Sequence, residues 1–419
     1  MAAPVNAALV LFGGYFLRLA LILSNYSARI ADRVELSTPL NSWKRVVEGH
    51  FLLKHGINPY SGDILHEPYL SLKFYSMLIY LFRNGNALKH VFIVMDLLTG
   101  LILYAASKKC VQILLHQDRS LSKAQSSRKL VLTIPVARQI PLFVLTVYCL
   151  SPFNILSCVS QNTSVFDNFL HCLSLFAMVY GVWPLSTVTL ALLTSRCLHT
   201  VILVVPAMMF IRHRTPCLLF ISAYVAILAQ LISFNSDSHI SSYYFQLAVT
   251  DLTPNVGLFW YFFTELFEHF RWFFLCVFHL NVLIYVLPLS VRLRKDPLLL
   301  YWSLLLIVSV FKPYPSLADF ALYSSLLPIF RHLFDLMRQV VIVFAAIAVS
   351  CVLAPIMWHQ WLFAYSGNAN FYFAITLVYN VSQVFLLTDM LVSDMKRKFY
   401  LQHGDPKEFE AKKQKLTLE

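Results

Sequence analysis

The sequence predicts an all-α, multi-pass membrane protein, and three observations carry that prediction. Of 419 residues, 58% are hydrophobic and only 13% are charged, where a soluble domain carries about a quarter charged residues. Mean hydropathy is +0.65. The net charge is +12, yet Lys and Arg fall in short clusters between apolar runs. That spacing marks the cytoplasmic turns of a membrane protein, so no nucleic-acid partner is expected. Inside lipid the backbone must bond to itself, which makes each run a helix.

In chain order, the first apolar run covers 5–23. No basic stretch precedes it and no small-x-small cleavage site follows, so it reads as an uncleaved span. Arg18 lies near its end, where the side chain can snorkel outward. A polar loop covers 25–89. Within it Pro39, Trp43, Val46, Val47, Phe51 and Leu52 predict a short amphipathic helix, and Asn58 to Gly62 a turn. The apolar piece 68–82 contains Lys73 and is short for a span, so it reads as re-entrant or interfacial. A second span at 90–107 leads into a basic loop, 108–139, the strongest cytosolic signal in the chain.

Further spans are expected at 140–160, 165–181, 184–195, 197–211 and 216–234. A second polar loop and an aromatic helix cover 235–270. Spans then follow at 271–291, 297–311, 317–333, 339–357 and 370–392, with a polar loop at 358–369 between the last two. Residues 396–419 read as a flexible cytosolic tail, opening with Lys396, Arg397 and Lys398. The total is about twelve spans across a membrane domain of residues 1–395, with both termini cytosolic and every basic turn on one side.

The stretch 251–274 is the densest aromatic run, yet it holds Glu265, Glu268, His269 and Arg271. Thr253 followed by Pro254 is a good helix start. Phe259, Phe263, Leu266 and Phe270 then share one helical face, while Tyr261, Thr264, Glu265 and Glu268 lie on or near the other. Such a helix suits a membrane boundary. It equally suits a bundle with its acids in solvent.

Catalytic signatures are missing: the sequence has no Walker loop, GxGxxG, HExxH, GxSxG or Asp-x-Asp. Glu265, Glu268 and His269 allow an acid–base pair, though surface ion pairing is the commoner use. Asp96, Asp167 and Asp389 fall in or at the ends of spans, where ionisable groups are functional candidates; each can also pair with a neighbouring helix. The eight cysteines show no CxxC spacing, so no disulfide or metal site is expected. Asn368 and Asn370, at the mouth of the last span, can bond a lipid headgroup or simply cap a helix.

Four segments now carry a resemblance: STPLNSWKRVVEG at 37–49, NPYSG at 58–62, DLTPNVGLFWYFFTELFEHF at 251–270 and FKPYPSLADFALY at 311–323. Together they resemble the PIG-U family of GPI transamidase subunits. The resemblance implies a non-catalytic subunit, in the endoplasmic-reticulum membrane, of the complex that replaces a protein's C-terminal signal with a GPI anchor. The catalytic cysteine would belong to a caspase-like subunit, and no cofactor is implied. The family is similar in outline to GT-C mannosyltransferases, which implies a GT-C-like scaffold with lumenal amphipathic helices. Early acids of that class are replaced here by the run Ser37 to Trp43. Its aromatic block is similar to a fatty-acid elongase motif, which implies lipid recognition by Phe259, Trp260, Phe263, Glu265, Phe267, Glu268 and Phe270. Carried over by position, Asn368 and Asn370 would contact GPI, and His213, Arg214 and Arg271 would hold phospholipid phosphates. Partners implied are the other subunits, GPI lipid, phospholipid and the proprotein with its signal. The competing reading is a GT-C-type lipid-linked mannosyltransferase, which needs a carboxylate early in the first loop; Asp32 and Glu35 are the candidates.

Overall fold

Apolar runs with few charges can satisfy their backbone in lipid only as helix. The computed structural model describes residues 2–82, 85–121, 130–211, 213–234 and 236–403, and every regular element among them is helical. The first third holds α1 (Ala2–Leu23), α2 (Ser27–Ala31), α3 (Trp43–Lys54), α4 (Tyr69–Leu81) and α5 (Gly85–Leu121). Next come α6 (Ile134–Leu150), α7 (Pro152–Val159), α8 (Ser164–Tyr180), α9 (Trp183–Arg196) and α10 (Val204–Phe210). Then follow α11 (Arg214–Phe234), α12 (Ser236–Ala248), α13 (Phe259–Glu265), α14 (Arg271–Ile284) and α15 (Val286–Arg292). The chain closes with α16 (Pro297–Phe311), α17 (Leu317–Leu326), α18 (Val340–Leu362) and α19 (Ala369–His403).

Six of these segments are long and apolar enough to cross a membrane, or seven if α6 and α7, bent by 45° at Ser151, form one broken span. The chain is therefore a multi-pass membrane protein. About twelve spans were expected from the sequence. The difference lies in short apolar helices such as α8 and α16. The 15 residues of α16 rise roughly 22 Å, against a hydrocarbon core of about 30 Å. Almost every side chain of α16 is buried, Leu298 through Val310 without a gap. A helix that is apolar all round belongs at the centre of a bundle, and α16 is shielded by its neighbours. Close packing recurs at Gly100 on α5, where an added Cβ would lie 3.0 Å from the Cys149 sulfur of α6.

The charged turns sort into two ends. At one, here the basic end, Arg397 bonds Asp118 at 2.5 Å and the Leu130 carbonyl at 3.0 Å, while Lys398 bridges Asp296 and Asp394. At the other, here the loop end, Arg196 bonds Glu67 at 2.7 Å, Arg45 bonds Asp251 at 3.0 Å and Lys312 bonds Asp319 at 2.6 Å. The first loop is fastened there: Asn162 donates to the Leu36 carbonyl at 2.7 Å and the Leu317 N–H to the Glu35 carbonyl at 3.0 Å.

Several expectations need correction. Arg18 does not snorkel: it is fully buried, bonding Asp96 at 2.7 Å and the Cys149 carbonyl at 2.8 Å. Asp96 takes a further 2.7 Å bond from the Tyr148 hydroxyl, so an opposite charge on the next span outcompetes the route to water. The basic loop opens as helix, because α5 runs on to Leu121; residues 122–129 lie outside the described residues. The polar segment after 235 contains α12, and the polar segment after 358 begins as the last turn of α18. The tail is helical as far as His403, held by the Arg397 and Lys398 pairs, and 404–419 lie outside the described residues. The aromatic helix is broken. Thr253 caps nothing; its N–H bonds Asp251 at 2.9 Å in a turn. Only Phe259–Glu265 is α-helical, followed by extended Leu266 and Phe267, a 3-10 turn at Glu268–Phe270, and α14.

Candidate functional site

The break in the aromatic segment follows from where its rings go. Gly257 passes so close to Pro315 that a Cβ there would lie 2.7 Å from the ring, which only glycine tolerates. The Asn255 side chain accepts the Gly257 N–H at 2.7 Å, and Asn380 of α19 donates to the Val256 carbonyl at 2.7 Å. From that anchorage α13 points its rings two ways. Phe259 and Phe263 are buried with Phe245, Leu275 and Tyr314. Trp260 turns toward the α18–α19 hairpin, among Trp361, Tyr372 and Phe373 at 5.8–6.3 Å between ring centres. One straight amphipathic helix has a single apolar face and cannot fill two clusters; tertiary packing overrides the local pattern.

Beside this aromatic joint lies an apolar groove of about 920 Å³, its open face included. Its walls are Phe153 and Leu156 of α7, Cys351, Ala354 and Pro355 of α18, and Ile375, Thr376 and Tyr379 of α19. Pro355 sits inside α18, where it removes a backbone bond and leaves a carbonyl free to tilt. At the loop end the groove meets Arg33 and Glu35, joined by two parallel bonds of 3.0 and 2.7 Å. An apolar wall with a charged pair at one end suits an amphiphile: chains along the helices, polar head beside the ion pair.

A second cavity at the same end is polar. Glu67, Asp167, Arg196, His66, His171, Lys312 and Asp319 line it. Its charges are largely spent on one another: Arg196 holds both Glu67 and Asp167, and Lys312 holds Asp319. Burial pushes the His66 imidazole down to about 4, so the ring is neutral at neutral pH and stacks on Phe245 at 3.4 Å. Burial also acts on Asp251, but its bonds with Thr253 and Arg45 hold its carboxyl below the usual range.

The residues singled out in the sequence are only partly brought together. Asn370 accepts a bond from the Tyr261 hydroxyl, tying α19 to α13. Asn368 accepts the Phe371 N–H at 3.3 Å, which is N-cap geometry for α19. Both asparagines remain exposed at the loop end of the hairpin, above the groove rather than in its wall. Glu265, the last residue of α13, and Phe267, Glu268 and Phe270 just beyond it form an exposed edge. Arg271 donates to the Ala248 and Val249 carbonyls at 3.2 and 2.8 Å, closing the end of α12. His213 and Arg214 lie elsewhere, exposed at the start of α11, with His213 beside Gly181 and Trp183.

The three acids of the spans have structural partners. Asp96 pairs with Arg18 and Asp167 with Arg196. Asp389 accepts the Arg338 and Gln339 N–H groups at 3.0 and 2.9 Å, satisfying donors at the start of α18. The groove wall was missed from the sequence, because Cys351, Ala354 and Tyr379 read there as ordinary span residues. The Arg18–Asp96 pair did leave a signal: opposite charges in two apolar runs.

A sequence model of the family described as "GPI transamidase subunit PIG-U" matches residues 12–379. The chain belongs to the PIG-U family. The GPI-anchor transamidase component PIGU of Cricetulus griseus is 37% identical to it, over 96% of each chain. The human protein of the same name is 36% identical over the same shares. The GPI transamidase component GAB1 of Saccharomyces cerevisiae is 29% identical, over 91% of this chain and 92% of its own. The family match takes in the groove, the aromatic joint and most of the α18–α19 hairpin.

Proposed function

We propose that this chain is a non-catalytic subunit of a GPI transamidase that binds the GPI lipid and presents it to the catalytic subunit. The apolar groove against α18 and α19 is the observation that carries the lipid part. GPI acyl chains lie along Cys351, Ala354 and Tyr379, and the headgroup reaches Asn368 and Asn370 past the Arg33–Glu35 pair. The exposed edge Glu265, Phe267, Glu268 and Phe270, next to Asn370's partner Tyr261, faces the same headgroup region. His213, Arg214 and Arg271 hold phospholipid phosphates at their two separate places. The scaffold is GT-C-like with about twelve crossings, the short helices counted as spans. It sits in the endoplasmic-reticulum membrane with both termini cytosolic, and the sorting of basic turns to one end supports that orientation. The catalytic cysteine is supplied by a caspase-like subunit, which also receives the proprotein's C-terminal signal.

The two early carboxylates that the mannosyltransferase reading needs are both engaged: Asp32 is paired with Lys44 and Glu35 with Arg33. The test is a pull-down from mild detergent with mass spectrometry of proteins and lipids. We expect the caspase-like subunit and bound GPI, with GPI reduced about tenfold or more when Asn368 and Asn370 are both replaced by alanine, the loss of one or two bonds to a polar headgroup. Recovery of the chain alone with dolichol lipids, or undiminished GPI in the double variant, overturns the proposal.

A further inference from the structure

The groove assigned to GPI lies at the loop end, and a larger one at the basic end has no role in that reading. It runs between α15, the end of α5 and the end of α19, and spans about 2420 Å³, its open face included. The segment Glu268–Arg292 is a candidate span, so the turn that follows it stands at the level of lipid headgroups. Arg292, Arg294 and Lys295 are exposed there, and none forms an ion pair with a described residue. The two acids of the groove, Asp296 and Asp394, are already engaged by Lys398. Three cations are thus left unopposed at the rim among the described residues. Below them the wall is apolar: Leu287 and Val291 are 73% and 65% exposed, and Met395 and Phe399 line the opposite side. Leu287 is five residues before Arg292, about 7 Å deeper at helical rise.

We propose that this groove binds an anionic glycerophospholipid of the leaflet at the basic end. Its phosphate sits among Arg292, Arg294 and Lys295, and an acyl chain runs along Leu287 and Val291. Guanidinium groups match phosphate oxygens in pairs. The drop from cations to an apolar wall within a turn and a half follows the change from headgroup to chain. A soluble anion would use the rim and leave the wall bare. Clustered basic side chains at a span end attract anionic lipid at about 1 kcal/mol each, about fivefold per cation.

The test uses the complex in phosphatidylcholine nanodiscs with a small fraction of phosphatidylinositol, and native mass spectrometry reads the phosphatidylinositol retained. The triple variant R292Q/R294Q/K295Q changes exposed side chains without ion-pair partners among the described residues, so assembly is expected to persist; retained GPI is the internal check. Phosphatidylinositol affinity should fall on the order of a hundredfold, while GPI retention holds. A control triple at the same end, R331Q/R338Q/K396Q, should retain phosphatidylinositol. Leu287→Ser with Val291→Ser should weaken it with the cations intact. The proposal is overturned if the first triple binds normally, if the control loses as much, which would mean diffuse attraction, or if soluble glycerophosphoinositol displaces the lipid at equal concentration.

Discussion

Arg18 and Asp96 show what a single residue does in this chain. Each alone in an apolar run would be a costly charge; together, with the Tyr148 hydroxyl and the Cys149 carbonyl, they form a paired cluster joining α1, α5 and α6. Breaking one partner strands the other, at a cost of about 3–5 kcal/mol. Asp96→Asn should therefore lower the thermal stability of the purified complex markedly. Replacing both, as Arg18→Met with Asp96→Leu, should restore much of it. An unchanged midpoint in Asp96→Asn would mean that the pair holds nothing together. The sequence placed both charges in spans but not in contact, since pairing across 78 residues leaves no local pattern. Asp389 was equally visible as an acid, and equally silent about the helix start it satisfies.

At the scale of elements, the long apolar runs were legible because lipid permits only helix. Breaks and extensions were not. Whether the last helix stops at 392 or continues to His403 is decided by Asp118 and Asp296, on other elements, which take Arg397 and Lys398, a tertiary fact. The aromatic segment is the same case. Its period fits one helix, yet Trp260 has its own cluster against Ala354 and Tyr372, and the chain bends to serve both. Trp260→Ala should release α13 from the hairpin, costing about 3–5 kcal/mol as other deleted aromatic anchors do. Limited proteolysis should then cut the 250–270 segment faster, with the remaining helices intact. Wild-type protection of that segment would show that the ring does not hold the joint.

For the whole molecule, the two ends divide the work. The loop end gathers the ion-paired polar cavity, the aromatic joint and the groove; the basic end gathers the turns that fix orientation and the rim proposed to hold an anionic lipid. The family was legible in the four segments at 37–49, 58–62, 251–270 and 311–323, three of which frame the loop end. The groove was not legible, being made of faces of α7, α18 and α19 far apart in sequence. Cys351 is half-buried on its wall, and Cys351→Phe would fill it without touching an ion pair. The most direct measurement is the GPI that co-purifies with the intact complex carrying that single change. We expect a complex with its full set of subunits and GPI reduced about tenfold or more, since overfilling a packed site costs about 1–3 kcal/mol; a complete complex with wild-type GPI would contradict this, because the lipid would then lie somewhere other than this groove.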